Sequence, residues 1–143
     1  MTADLLERWL EAVLETPGAT GCGSLEDARR ALLDRFASEL PNVEVVWGRA
    51  EEQPIEVFGV ALAKALARPP VAAELCLPLV AHGGAAIVWL GPSADRRALA
   101  RAAEQVGGRL ESESAGLAVL RKVESTPPGF PRRPGIAKKR PLA

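Results

Sequence analysis

Three short stretches hold residues that could bind or react: Arg49-Ala50-Glu51-Glu52, His82-Gly83-Gly84, and five cations set among prolines, Arg132, Arg133, Lys138, Lys139 and Arg140. The inventory is thin for acid–base or nucleophilic catalysis. His82 is the only histidine, and neither a Ser/His/Asp nor a Cys/His constellation surrounds it. It follows an apolar helical stretch in a Gly-Gly turn, which reads as a solvated loop position. Cys22 and Cys76 are too few and too badly spaced for a disulfide framework or a zinc site, so no metal is expected. Cys76 falls on an apolar helix face and reads as a core thiol. The cations suit phosphates: arginines and lysines held extended by prolines contact a nucleic-acid backbone without reading its sequence. Phe130 is the only aromatic residue near them, so base stacking is not their main mode.

Charge along the chain agrees with that division. Net charge is zero over 143 residues, yet residues 1–120 carry 11 basic and 17 acidic side chains, and 121–143 carry 7 basic and one acidic. A −6 body with a +6 tail points to an anionic partner, nucleic acid first. The alternative is a tail that is merely solvated or folded back on the acidic body. No apolar run reaches the 18 residues of a membrane span and no signal peptide is evident, so the expectation is a cytoplasmic protein with no membrane partner.

The elements that must position these residues read as α/β, in three segments. Residues 1–41 are N-terminal helices. Leu5, Leu6, Trp9, Leu10, Val13 and Leu14 make one broad apolar face after a Thr2 cap, and Leu25, Ala28, Leu32, Phe36 and Leu40 make a second after Ser24. Trp9 lies inside its stripe and reads as packing. Gly18–Ser24 is glycine-rich, but a ligand-cradling loop needs a buried strand before it, and here a helix precedes. A helix connector is the better reading.

Residues 42–123 are the core. Val43, Val45 and Trp47 alternate with other residues as a strand does, and Phe58–Leu62 is apolar enough for a parallel strand buried on both faces. Val71 to Val80 recurs at helical spacing with a kink at Pro78, and Ala85–Leu90 is a further buried strand. Strand 43–47 is expected to pair with the strand around 57–62. Ser93 would cap a third helix ended by Gly107-Gly108, and 109–114 with 116–122 would form an antiparallel hairpin at the sheet edge. Residues 124–143 are a proline-rich basic tail without regular structure.

Several of these stretches together resemble a known family. The strand followed by Arg49-Ala50-Glu51-Glu52, the run Ala63-Lys64-Ala65-Leu66-Ala67, Pro78-Leu79 with Gly83-Gly84, and the ending Pro131-Arg132-Arg133-Pro134-Gly135 with Lys139-Arg140-Pro141-Leu142 are similar to the bacterial small-subunit ribosomal RNA guanine-N7 methyltransferases, the glucose-inhibited division protein B family. The resemblance implies a Rossmann-like methyltransferase sheet, here truncated to about five strands with a C-terminal antiparallel hairpin. It implies S-adenosylmethionine as methyl donor and small-subunit ribosomal RNA, or the ribosomal subunit, as partner. Guanine N7 carries no proton, so in-line methyl transfer needs alignment more than a general base.

By resemblance, Ala50 and Glu51 lie along the donor's adenosine, although Glu51 also fits an ordinary charge after a strand. Lys64 stands where the family usually has arginine, a point charge for a planar fork, and Leu90-Gly91 stands where a lysine-glycine pair is common. No catalytic residue is assigned. The family's first strand, glycine loop and acid-tipped second strand have no counterpart, because Leu40-Pro41 runs straight into Asn42-Val43. Roughly one βαβ unit is absent on that alignment, with the junction either there or earlier. The expectation is a family member whose catalysis is impaired or lost. The alternative is a non-catalytic ribosomal RNA-binding remnant acting through its tail.

Overall fold

Phe58–Ala63 and Val80–Trp89 are rich in β-branched and small apolar residues and form two strands, β1 and β2, that pair in parallel. Parallel strands need a crossover, and Pro69–Cys76 supplies it as helix α1, opened by two prolines at positions where a missing N–H costs nothing. This is seen in a computed structural model that describes residues 40–46 and 48–143. Within the chain two compact units are distinguished, Met1–Trp47 and Gly48–Ala143. The two helices expected before Leu40, with Trp9, Cys22 and the glycine-rich connector, lie outside the described residues, as does Trp47.

After β2, Asp95 caps helix α2, Arg96–Glu104, by accepting from the Ala98 N–H at 2.9 Å. Ser93 was the expected cap. The start lies further on because the Ala94 N–H donates to the Gly91 carbonyl at 3.1 Å, which closes a turn ahead of the helix. The hairpin follows, with β3 at Gly108–Ser114 and β4 at Leu117–Lys122. Among the described residues the sheet order is β1-β2-β4-β3, mixed, with β1 and β3 outermost. A last helical turn, α3, spans Ile136–Lys139 inside the tail that was expected to be irregular.

The core lies on one face of this sheet. Ala61, Ala63, Ala86, Val88, Ala118 and Leu120 point to it from the strands, and Ala72, Ala73, Cys76, Leu99, Ala103 and Val106 meet them from α1 and α2. So many alanines at the contact let the helices approach the sheet closely. The larger members, Leu77, Leu99 and Leu120, each contribute about 1.5–3 kcal/mol by leaving water. Among the described residues, the helices that pack on the sheet pack on this face.

Three expectations are corrected. Residues 43–46 carry no strand: the Val43 N–H donates to the Leu40 carbonyl at 3.1 Å around a turn, and Val43 and Val46 are exposed. The described sheet therefore has four strands rather than about five, and β2 is the strand paired with β1. Second, β1 is parallel but buried on one face only, with Phe58, Val60 and Leu62 exposed. Third, the helix stops at Cys76, a 3-10 turn occupies Leu77–Leu79 at Pro78, and Val80 already belongs to β2. His82-Gly83-Gly84 is then an irregularity within a strand rather than a loop. Partners jump from Phe58 with Val80 to Val60 with Ala85, and Gly84 is glycine because a Cβ would collide with the Gly59 carbonyl oxygen. His82 is exposed as expected, its Nε2 2.9 Å from the Val123 carbonyl oxygen.

Candidate functional site

Arg49-Ala50-Glu51-Glu52 forms a tight turn, with a 3-10 helix over Ala50–Glu52 and the Gln53 N–H closing on the Ala50 carbonyl at 3.2 Å. Its acid is not free. The Glu51 side chain is only 7% exposed, Oε1 accepts from the Gly135 N–H at 3.0 Å, and the Arg49 guanidinium stands 3.6 Å away. Burial pushes the carboxyl pKa up, but the N–H groups of Glu51 and Gly135 together with Arg49 more than offset this and hold it below the usual carboxylate value. Gly135 sits at φ +81, in the left-handed region. A side chain would have room there but not the backbone conformation.

A cleft of about 180 Å³ lies beside this turn, with walls from Ala50, Glu51, Leu66, Leu75, Ala137 and Lys138 among others. Ala50 and Glu51 thus share a site, with Leu66 contributed by the loop after β1. Lys64 begins that loop, is exposed, and is not among the cleft walls. Of the three side chains expected along a donor, the structure places two, Ala50 and Glu51, beside one cleft.

The tail runs back across α1. Arg132 meets Glu74 in a bidentate pair, Nε to Oε1 and Nη2 to Oε2 both at 2.5 Å, and Nη2 also donates to the Arg140 carbonyl at 2.9 Å. Ala137 of α3 packs against Val71 and Leu75 of α1, and Leu142 and Phe130 pack on the main core. The reading of a tail folded back on the body is therefore the one seen for its backbone. Four of its five cations remain exposed: Arg133, Lys138, Lys139 and Arg140.

A larger cleft, about 390 Å³, opens between the loops that follow β1 and β2, where α1 and α2 begin. Arg68, Pro69, Ser93, Asp95 and Pro141 are among its walls. This is the carboxyl end of the parallel pair, the end at which open α/β sheets receive ligands.

Curated relatives align with this chain over most of its length. A ribosomal RNA small subunit methyltransferase G of Pelotomaculum thermopropionicum is 36% identical over 131 residues, covering 79% of this chain and 54% of the relative. The proteins of the same name from Symbiobacterium thermophilum and Moorella thermoacetica are 37% and 38% identical, covering 85% and 72% of this chain. The chain belongs to the ribosomal RNA small subunit methyltransferase G family. It spans about half the length of the curated relatives it matches, 56% and 50% for the latter two. No protein-family model matches it.

Within this family member, two buried charges escaped the sequence reading. Glu74 is 2% exposed and Lys122 is 1% exposed. Glu74 was legible in principle: a lone acid in Pro-Pro-Val-Ala-Ala-Glu-Leu-Cys, three residues after Val71, lies on an apolar helix face and demands a partner. Lys122 follows the in–out alternation of β4 onto the core side, where its Nζ donates to the Val106 carbonyl at 2.9 Å and the Thr126 hydroxyl at 2.7 Å. Nothing local announces that partner set. Among the described residues no cluster of His, Cys, Asp and Glu could hold a metal, and no helix is long and apolar enough to cross a membrane.

Proposed function

We infer that this chain is a family member in which methyl transfer is impaired or lost, and which binds small-subunit ribosomal RNA through Arg133, Lys138, Lys139 and Arg140. The observation that carries the first half is the state of Glu51. Its Oε1 is engaged by the Gly135 N–H and faces Arg49, and the side chain is only 7% exposed, which leaves a single, nearly buried oxygen for a donor's hydroxyls. The adjoining cleft, about 180 Å³, is smaller than the roughly 300–1,000 Å³ usual for small-molecule sites. Lys64 stands off it. Ala50, Glu51 and Lys64 therefore do not fit S-adenosylmethionine as a set, and no catalytic step is routed through them.

The second half rests on the relatives, ribosomal RNA small subunit methyltransferases, and on four exposed cations held on an ordered tail. Phosphates are the group such a patch recognises. Arg132, forked onto Glu74, is a positioning residue for that segment rather than part of the patch.

One observation favours a different reading, an enzyme that retains methyl transfer. The 390 Å³ cleft at the carboxyl ends of β1 and β2 is of ligand size and carries Arg68 and Asp95. Calorimetric titration of the chain with S-adenosylmethionine, beside a salt series of binding to small-subunit ribosomal RNA, separates the two. RNA binding that weakens steeply with salt, without saturable donor binding, is the result expected. Stoichiometric donor binding in the low micromolar range overturns the inference and restores an active enzyme, and Arg68→Ala then tests the larger cleft.

A further inference from the structure

The tail does not stop at α1. Ala137 of α3 rests on Val71 and Leu75 of α1, and the Arg140 carbonyl is still held there by Arg132. The next residues belong to α2. Pro141 shares the larger cleft with Asp95 and Ala98 at the start of that helix, and the Leu142 carbonyl accepts from Nε2 of Gln105, its C-cap, at 3.3 Å. Residues 98, 101 and 105 are three and four apart and so lie on one side of a helix. Arg101 therefore stands on the side of α2 that the tail reaches, and Arg97, one turn earlier, extends its row. Both are exposed. The ion pairs among the described residues involve neither of them, whereas their neighbour Arg96 is taken by Glu113 at 2.7 Å.

We propose that the RNA track of the tail continues onto α2, where Arg101 and Arg97 hold further phosphates of the same strand. The inference rests on the RNA reading above and adds to it the path and length of the strand. Lys138 and Lys139 lie over α1, Arg140 stands where the tail passes to the second helix, and the two arginines of α2 follow. That continuity is what commits the row to the same polyanion. Four residues of helix separate Arg97 from Arg101 by about 6 Å along the axis, enough for them to take separate phosphates, and a guanidinium is well suited to each. Two acids are near. Asp95 is turned inward as the cap of α2, accepting from the Ala98 N–H. Glu104, exposed and three residues after Arg101, opposes the anion and weakens this end of the track.

Fluorescence anisotropy with two oligouridylates reads the extension. A strand of about five nucleotides has phosphates enough for the tail alone, and one of about fifteen can reach α2. At about 0.7 per neutralised phosphate, the log–log salt slope of the longer strand should be steeper by about 1.4. Arg97→Gln/Arg101→Gln should remove that excess and leave binding of the short strand and the far-ultraviolet circular dichroism spectrum unchanged. Arg97→Lys/Arg101→Lys should retain it, because a phosphate contact needs the charge, and Glu104→Gln should tighten the longer strand only. Equal slopes for the two strands in the wild-type chain, or a long-strand slope that the glutamine pair leaves in place, overturns the extension while the tail reading stands. Binding of both strands that is insensitive to salt, or that survives alanine at Arg133, Lys138, Lys139 and Arg140 together, overturns the RNA reading and the extension with it.

Discussion

Arg132 and Glu74 bind fork to fork, both N–O distances 2.5 Å, with Glu74 2% exposed on α1 and Arg132 arriving from a tail 58 residues further along the chain. Removing one partner of such a pair leaves an uncompensated buried charge, which typically costs about 3–5 kcal/mol. Arg132→Ala should therefore lower the urea midpoint strongly, by an amount near the low end because the arginine side chain keeps 23% exposure. The double variant Arg132→Met/Glu74→Leu should recover most of the loss. Equal stability of wild type and Arg132→Ala would remove this pair as the tail's anchor.

That anchor reshapes the expected RNA binding. With Arg132 taken up, four cations are left, and at about 0.7 per neutralised phosphate on short single strands the log–log salt slope should approach −2.8. Alanine at Arg133, Lys138, Lys139 or Arg140 should each flatten the slope by about 0.7, whereas Arg132→Lys should leave it unchanged. Individual substitutions are the sound test here, since deleting residues 130–143 would strip Glu74 of its partner as well.

Gly84→Ala should destabilise the β1–β2 pair. The added Cβ falls on the Gly59 backbone carbonyl oxygen, which cannot swing aside as a side chain can. Overpacking of this kind costs about 1–3 kcal/mol. Gly59→Ala, with nothing within 4 Å of its Cβ, is the matched control and should be far milder in thermal denaturation.

Glu56 makes a pH-dependent contribution. The Thr126 N–H and hydroxyl, then Lys122, hold its carboxyl below the usual 4.5. A depressed carboxyl adds stability above its unfolded pKa and loses it as pH falls through the folded value. The stability gap between wild type and Glu56→Gln should accordingly be full at neutral pH and shrink below about pH 4.5. A gap constant from pH 7 to 3 in urea titrations would show that the charge is not what matters.

Cys76 should resist alkylation in the native chain. Burial pushes its thiol pKa up to about 11, so little thiolate exists near neutrality. Mass-mapped iodoacetamide labelling should modify Cys76 only after denaturant is added.

The parts of this molecule that could be read in advance are those governed by local pattern. The hairpin showed in the alternation from Arg109 to Lys122, α2 in the stripe of Ala98, Leu99, Ala102 and Ala103, and the family in Arg-Ala-Glu-Glu and the ending of the chain. What escaped was decided by distant partners. Val43 and Val45 alternate as a strand should, yet a strand also needs a neighbour, and β1 takes its neighbour from β2. Phe58–Leu62 looked buried on both faces because parallel strands usually are, and whether anything covers the second face is not written in the strand. Glu51 stands in the Arg-Ala-Glu-Glu turn that carries the resemblance, but its engagement by Gly135, 84 residues away, has no local signature. Nor has the fork between Arg132 and Glu74, which ties the tail to α1.

The buried ammonium of Lys122 sets a limit on how this chain can be cut. Its Nζ is held by Val106 at the end of α2 and Thr126 at the root of the tail, with Glu56, just before β1, 3.8 Å away. Glu56 in turn receives the Thr126 N–H at 2.5 Å. Residue 126 is thus the keystone between the entry of the first described strand and the exit of the last. A stop codon placed before it would strand the Lys122 ammonium and untie both ends of the sheet, and one placed just after it would leave that knot whole while still stripping Glu74 of Arg132.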